Sequence, residues 1–317
     1  MAENMKKRAG KKSDKILYIV IGVVIFIAFF YFVLEHGSPE EFLSGFENLI
    51  GIPGGTVSDD LRVQIIDVGQ GDSILVECGG KSMLIDAGDN GSEQKIMNVL
   101  HSRRIRKLNY VIATHPHADH IGGMPEILEE FGAELLIMPK IPKNLVPTSS
   151  TFDAFLDAIE KKCDKRVYSS IGKVYQLGGA TFEIIGPISQ NNEDLNENSV
   201  VIRLVYGENS FLLTGDASGD EEKEIMNSGA NTDCDVLKVG HHGSSTSSSA
   251  AFLKKVSPEI AVISCGKDNR YGHPNGNTVK RLKKICSGVY RTDKDGDVVI
   301  VSNGVQLKTY IDGKEVA

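Results

Sequence analysis

The sequence has no closely paired cysteines, which argues against two common ways of stabilising a chain. Its five cysteines lie at positions 78, 163, 234, 265 and 286. None belongs to a Cys-x-x-Cys pair, so a cysteine-ligated zinc site is not indicated. An odd number of widely spaced cysteines is also atypical of a small disulfide scaffold. We expect mainly buried free thiols, with one buried disulfide as the alternative.

Acidic residues outnumber basic ones after the first fifteen residues. The 317-residue chain has a formal net charge of -7, and because residues 1–15 carry about +4, the remainder carries about -11. A domain this acidic is not a general polyanion binder, so any contact with nucleic acid requires a local basic patch. The length suits one large or two medium domains. A hydrophobic content of 41% permits a sizeable core.

Charged residues are also absent from positions 16–34, and this run is long enough for one helix to cross a bilayer. The basic residues 1–15 precede it, so the positive-inside rule predicts a cytoplasmic N-terminal tail and an exported remainder. The alternative is a cleaved signal peptide, but no clear Ala-x-Ala site follows. We therefore expect a single-pass anchor in the cell membrane, with the rest of the chain extracellular.

A linker is predicted over residues 35–60, where Pro53, Gly54 and Gly55 interrupt the chain. From residue 61 to the end, short β-branched runs alternate with helical patterns, and this rhythm occurs twice. Asn303-Gly304 is a favoured pair for a tight hairpin turn. The pattern indicates one domain of layered α/β architecture over residues 61–317.

The strongest chemical signal is the run His-Pro-His-Ala-Asp-His-Ile-Gly-Gly at residues 115–123. His115 and His117 point the same way because they are two apart in an extended segment. Asp119 and His120 follow where the chain turns into a predicted helix. Imidazole and carboxylate groups are the ligands of catalytic zinc, and manganese accepts the same set. Four such side chains in six residues indicate a metal centre.

In these residues the sequence resembles the metallo-β-lactamase superfamily, whose signature is His-x-His-x-Asp-His. Three later positions match in order: Asp86 a structural aspartate, Asp216 a bridging aspartate, and His241 or His242 a late histidine. The resemblance covers residues 61–317. It implies a four-layer αββα hydrolase fold that holds two divalent metal ions, zinc or manganese, and no organic cofactor.

More narrowly, the chain is similar to the ComEC competence proteins. The matching phrases are Asp-Val-Gly-Gln-Gly-Asp-Ser at residues 67–73, Leu-Lys-Val-Gly-His-His-Gly-Ser at 237–244 and Tyr-Gly-His-Pro at 271–274. Asp67 and Asp72 are expected, like Asp86, to be structural. In ComEC this domain accompanies a multi-helix DNA channel, whereas a single membrane segment is predicted here.

One expected histidine is missing. Many superfamily members have a further histidine between the histidine-rich loop and the bridging aspartate, but none lies between His120 and His241. Asn198-Ser199 takes its place, as in the ComEC branch. One of the two metal positions therefore loses an imidazole ligand.

The resemblance implies a role for each candidate residue. One ion would be held by His115, His117 and Asp216, and the other by Asp119, His120, Asp216 and either His241 or His242, of which His241 is preferred. Asp119 would orient a metal-activated hydroxide. His273 would donate a hydrogen bond or a proton, the alternative being a turn-capping role. The expected substrate contacts are Ser244, Asn198 and Lys238.

Three functions remain open. The favoured one is a metal-dependent phosphodiesterase, a nuclease acting on DNA, with a basic patch around residues 267–291 steering the backbone. That patch is as readily explained as a solvated helix face. The second is a phosphodiesterase for a cell-envelope substrate of the teichoic-acid phosphorylcholine type. The third is a non-catalytic surface protein stabilised by metal.

Overall fold

The computed structural model describes residues 59–189 and 193–316, in which two β-sheets carry helices on their outer faces. The predicted membrane segment and all but the last two residues of the predicted linker lie outside this part of the chain. Within it, no helix combines the length and the apolar character needed to cross a membrane.

In the described ranges, the first sheet has nine strands in the order β16-β15-β14-β1-β2-β3-β4-β5-β6. Their bounds are Leu61–Ile65 (β1), Ile74–Cys78 (β2), Lys81–Ile85 (β3), Leu108–Ile112 (β4), Ala133–Met138 (β5), Arg166–Tyr168 (β6), Val298–Ser302 (β14), Leu307–Ile311 (β15) and Lys314–Val316 (β16). Strands β1 to β3 are antiparallel neighbours, whereas β3 to β6 are parallel. The predicted hairpin at Asn303-Gly304 is confirmed, because β14 pairs with β15 in antiparallel register.

The second sheet has seven strands in the described residues, in the order β13-β12-β11-β10-β9-β8-β7. Their bounds are Val174–Leu177 (β7), Ala180–Gly186 (β8), Asn209–Leu213 (β10), Val201–Tyr206 (β9), Val236–Lys238 (β11), Ile260–Ile263 (β12) and Gly288–Arg291 (β13). Strands β7 to β10 are antiparallel, and β10 to β13 are parallel. Each sheet thus joins an antiparallel half to a parallel half.

Helices connect the parallel strands. Their bounds are Glu93–Ser102 (α1), Ala118–Ile121 (α2), Met124–Phe131 (α3), Ser150–Lys162 (α4), Gly219–Ser228 (α5), Ala250–Val256 (α6), Gly276–Ile285 (α7) and Thr292–Asp295 (α8). Polar caps start several of them: the Ser149 side chain accepts a hydrogen bond from the Phe152 amide, and Ser249 accepts one from Phe252. Gly229 ends α5 in the left-handed conformation.

The layering follows from the side-chain alternation of the strands. In β2, Ile74 and Val76 face a core shared by both sheets, while Leu75 between them faces the helical layer. A second outer cluster packs α5, α6 and α7 against the other sheet. The two sheets are therefore sandwiched between helical layers, and the layered α/β architecture is confirmed.

Candidate metal centre

Chemistry-bearing side chains gather where parallel strands of both sheets end. Asp86 follows β3, His115 lies three residues after β4, and Asp216 lies three residues after β10. His241 and His242 follow β11 within a short 3-10 turn. Because parallel strands place their carboxyl ends at one edge, the topology brings residues distant in sequence to the same side of the sandwich.

Two loops lie in direct contact at this edge. The Asp72 amide donates a 3.1 Å hydrogen bond to the carbonyl of Asp119. Gly71 has a φ of +133°, and a Cβ added there would lie 2.2 Å from that same carbonyl oxygen. Only glycine permits both the backbone angle and the close approach. The loop at residues 67–73 thus packs directly against the histidine-rich loop at residues 115–123.

Asp216 lies at the centre of the cluster. Its Oδ2 is 3.4 Å from Nε2 of His120, 3.3 Å from Nε2 of His242 and 3.8 Å from Nε2 of His241. His115, His120 and Asp216 offer donor atoms within 4.8 Å of one another, and so do Asp119, His120 and His242. Of these five residues, all except Asp119 are almost completely buried.

Outer hydrogen bonds fix the imidazole rings. His120 donates from Nδ1 to Oδ2 of Asp86 at 2.7 Å, and Asp86 also accepts 2.6 and 2.8 Å hydrogen bonds from the hydroxyl and amide of Thr114. Nδ1 of His242 lies 3.0 Å from the carbonyl of Ser264. These contacts turn each Nε2 towards Asp216, and hydrogen bonds to the other ring nitrogen orient histidine ligands in the same way at metal sites.

The donor set fits a divalent metal. Nε2 of His120, Nε2 of His242 and Oδ1 of Asp216 are buried and have no hydrogen-bond partner among the described residues. Buried polar atoms are rarely left unpaired, and imidazole nitrogen with carboxylate oxygen is a donor set used by catalytic metals. These atoms therefore have the position and chemistry of metal ligands.

The charged side chains of the cluster change one another's pKa values. Burial alone would lower the pKa of His120 and His242, but the carboxylate of Asp216 beside them raises both well above the usual histidine range. Burial would raise the pKa of Asp216, yet these two histidines hold it well below the usual range. Burial and the neighbouring His120 lower the pKa of His115. Asp216 is therefore ionised, and the two imidazole rings beside it balance its negative charge.

The two late histidines differ in environment. His242 is buried within reach of Asp119 and Asp216, and it belongs to two of the donor groups. The side chain of His241, the preferred candidate from sequence, is 23% exposed and its Nδ1 lies 3.3 Å from the Thr246 hydroxyl. The structure therefore brings His242 into the cluster and places His241 at its edge.

His117 and Ser199 complete the surroundings of His115. Nδ1 of His117 lies 2.9 Å from Nε2 of His115, but His117 belongs to none of the donor groups in the described residues. The Ser199 hydroxyl is 3.4 Å from Nδ1 of His115 and accepts a hydrogen bond from the Asp216 amide. Ser199 thus links two candidate ligands, His115 and Asp216.

The three expected substrate contacts are not brought to the solvent. Lys238 is 1% exposed and ion-paired with buried Asp72. Asn198 is fully buried and donates to the Asp194 carbonyl, and the Ser244 hydroxyl bonds that of Thr246. Lys238, Asn198 and Ser244 are thus buried and bonded to neighbouring parts of the protein, and their expected role in substrate contact stays a prediction.

The three expected structural aspartates have internal partners. Asp86 holds His120 and Thr114, as described. Asp72 pairs with Lys238, and its Oδ1 lies 3.4 Å from Nδ1 of His242. Its carboxylate therefore links the lysine to the histidine. Asp67 accepts a hydrogen bond from the Gly69 amide and is paired with Lys95 on α1.

A cleft of about 360 Å³ opens onto the cluster. His117, Asp119, Asp216, His241 and His242 form its floor, and its rim includes Gln70, Asp89, Asn196, Arg270, Tyr271 and His273. The His273 ring lies 5.4 Å from that of His241 and 6.3 Å from that of His242. Burial lowers the pKa of His273. Arg270 belongs to the basic patch predicted from sequence, whereas Tyr271 was not predicted as a site residue, although it adjoins the Gly-His-Pro sequence.

A buried cluster of histidine and carboxylate side chains, at one edge of a sandwich of two sheets between helical layers, defines a candidate divalent-metal site. The chain belongs to the metallo-beta-lactamase superfamily, whose family model matches residues 66–267. Members of this superfamily are generally metal-dependent hydrolases, and they include nucleases and diphosphatases.

The relatives confirm the competence-protein resemblance. The chain is 32% identical over 260 residues to ComE operon protein 3 of Bacillus subtilis, covering 76% of this chain and 33% of that protein. It is 34% identical over 242 residues to Recombination protein 2 of Haemophilus influenzae, covering 75% and 28%. It thus spans about a third of the length of these curated relatives.

A solved structure shows the same fold. CmlA, a diiron β-hydroxylase from Streptomyces venezuelae, matches with a TM-score of 0.51 at 13% sequence identity, covering 79% of this chain and 58% of that one. At this identity the likeness concerns the fold alone.

Proposed function

We propose that this protein is a metal-dependent phosphodiesterase that cleaves DNA outside the cell membrane, to which residues 16–34 anchor it. The observation that carries the proposal is the buried His–Asp cluster with its unpaired donor atoms, two residues of which, Asp216 and His242, line an open cleft. The similarity to competence proteins supports DNA as the substrate.

The ligands divide between two divalent ions, zinc or manganese. His115, His120 and Asp216 form one donor group, and Asp119 and His242 belong to the other. His120 has only Nε2 free because Asp86 holds its Nδ1, so it serves one ion. Bound ions of this kind lower the pKa of water towards neutrality and neutralise phosphoryl charge.

The protein side chains then orient and move protons. The Asp119 carboxylate, 25% exposed on the cleft floor, is placed to accept a hydrogen bond from the attacking water. His273 also lines the cleft, where its ring would donate a hydrogen bond or a proton to the leaving oxygen. Asp216 is buried beneath both and holds the histidines in place.

The test compares the full-length chain with an Asp119→Ala/His120→Ala variant, after chelator treatment and with zinc or manganese restored. We expect the wild type to cleave linear DNA and the variant to lose this activity by several orders of magnitude. His101→Ala, which removes an exposed histidine paired with Glu130, is the matched control and retains activity. A folded, metal-loaded wild type that cleaves neither DNA nor a small chromogenic phosphodiester would refute the proposal.

A further inference from the structure

The rim of the cleft carries an exposed aromatic ring directly beside the candidate ligands. Tyr271 is 52% exposed, the largest ring on the rim. It lies 5.8 Å from His273 in a nearly parallel arrangement, and His273 in turn lies 6.3 Å from His242. A group resting on Tyr271 is therefore next to the reacting centre.

The loop that presents this ring is held in shape. The Asn269 side chain accepts hydrogen bonds from the amides of Tyr271 and His273 at 3.2 and 3.0 Å, and it donates to the carbonyls of Gly266 and His273. The Asn275 amide fastens the end of the loop to the Gly243 carbonyl. Four hydrogen bonds of the Asn269 side chain thus define the backbone of this loop. The loop conformation in turn keeps the Tyr271 ring exposed.

Arg270 determines which ligands suit the ring. Its guanidinium carbon lies 4.9 Å from the centre of the Tyr271 ring, and it donates a 2.8 Å hydrogen bond to the tyrosine hydroxyl. A cation already lies against the ring, so a quaternary ammonium group such as choline is repelled. A planar base attached to a phosphate is favoured, since rings and guanidinium planes both stack bases and the positive charge attracts phosphate.

We infer that Tyr271 and Arg270 form a stacking platform for an unpaired nucleobase next to the cleaved phosphodiester, so that the substrate is single-stranded DNA. This rests on the proposed function and names its substrate class. A base inside a duplex has its faces covered by neighbouring pairs and cannot stack on a side chain without leaving the helix. The cleft volume of about 360 Å³ lies at the low end for small-molecule sites, which agrees with one nucleotide at a time.

The test measures how much binding affinity the bases contribute beyond that of the phosphates. Fluorescence anisotropy would compare the full-length chain binding a labelled thymidine oligomer, an abasic oligomer with the same phosphates, and a blunt hairpin duplex. We expect the wild type to prefer the thymidine oligomer over the abasic one by about tenfold. Tyr271→Ala abolishes that preference, whereas Tyr271→Phe keeps it.

The chain offers a matched control. Tyr168 is 51% exposed and also has an arginine, Arg166, over its ring at 5.9 Å, but it lies on the edge strand β6 and does not line the cleft. Tyr168→Ala should retain the tenfold preference. The inference is overturned if the wild type binds both oligomers equally or if Tyr271→Ala keeps the preference. It is also overturned if Tyr271→Ala weakens binding of the hairpin duplex as much as binding of the single strand.

The binding assay tests this inference and the cleavage assay tests the proposed function, so either can fail while the other holds. If the protein cleaves neither DNA nor the small diester but Tyr271→Ala still abolishes the base preference, the hydrolase proposal fails and the platform stands. If cleavage proceeds without any base preference, the platform fails and the hydrolase proposal stands.

Discussion

At the scale of single residues, hydrogen bonds around the cluster determine which histidine rings lie buried beside Asp216. His241 and His242 are adjacent, yet Ser264 and Asp72 hold the ring of His242 in the buried cluster while Thr246 contacts the ring of His241 at the edge. The ion pair with Lys238 neutralises the buried charge of Asp72. Without this partner, a buried carboxylate would strongly destabilise the fold. The first histidine after the strand is therefore the less suitable ligand.

This arrangement predicts different metal contents for two variants. His242→Ala should lower metal affinity by more than about 100-fold, since loss of an outer hydrogen-bond partner alone typically costs 10–100-fold. His241→Ala should retain the metal of the wild type. Elemental analysis after dialysis against a weak chelator measures both, and equal losses in the two variants would contradict the assignment.

At the scale of elements, short loops at strand ends position the site, and close backbone packing fixes them. The loop after β1 lies against the histidine-rich loop through Gly71, and the loop before α7 is fastened to the loop after β11. Each loop belongs to a different part of the chain. The site consequently depends on contacts between backbones as much as on its side chains.

Gly71→Ala tests this dependence. The added methyl group meets the Asp119 carbonyl, so the loops must separate, and we expect a loss of about 1–3 kcal/mol in unfolding free energy together with a loss of hydrolysis. Gly276→Ala is the control, because nothing lies within 4 Å of a Cβ there, and it should stay within about 0.5 kcal/mol of wild type. Urea denaturation and a hydrolysis assay measure both variants; a fully active Gly71→Ala would show that the close approach is unnecessary.

At the scale of the whole molecule, stability depends on pH through a carboxyl group outside the site. Burial raises the pKa of Glu221 on α5 to about 8, while its side chain accepts a hydrogen bond from the Ile188 amide. The folded protein therefore keeps this proton up to about pH 8, whereas the unfolded chain releases it near the ordinary glutamate pKa. Between these values the unfolded state binds fewer protons, so stability falls as pH rises.

Glu221→Gln should remove this part of the pH dependence. One proton contributes up to about 1.4 kcal/mol per pH unit, so the variant gains stability relative to wild type between pH 5 and pH 8. Glutamine retains the acceptor oxygen for Ile188. Urea denaturation at pH 5, 6.5 and 8 checks the result, with Glu160→Gln at an exposed position as control. Parallel curves for wild type and Glu221→Gln would contradict the prediction.

Much of the fold follows from local patterns. Alternation in β1 to β3, the helical period of α1 and the Asn303-Gly304 turn were all visible in the sequence, because each is set by near neighbours. Helices α4 and α5 were not predicted. In α4 the apolar spacing of Phe152, Phe155 and Ile159 carried a signal that was missed. In α5, with its run of acidic residues, few apolar positions mark the buried face.

The sequence by itself determined the family and the donor chemistry, since the run at residues 115–120 places four candidate ligands, three histidines and one aspartate, within six positions. It also indicated Asp86 and Asp216 through their order along the chain. Only the tertiary structure placed His242 in the buried cluster and His241 at its edge, buried Lys238 and Ser244, and brought Tyr271 to the cleft. Those outcomes depend on which strand ends meet, and that proximity comes from sheet pairing between residues far apart in the chain.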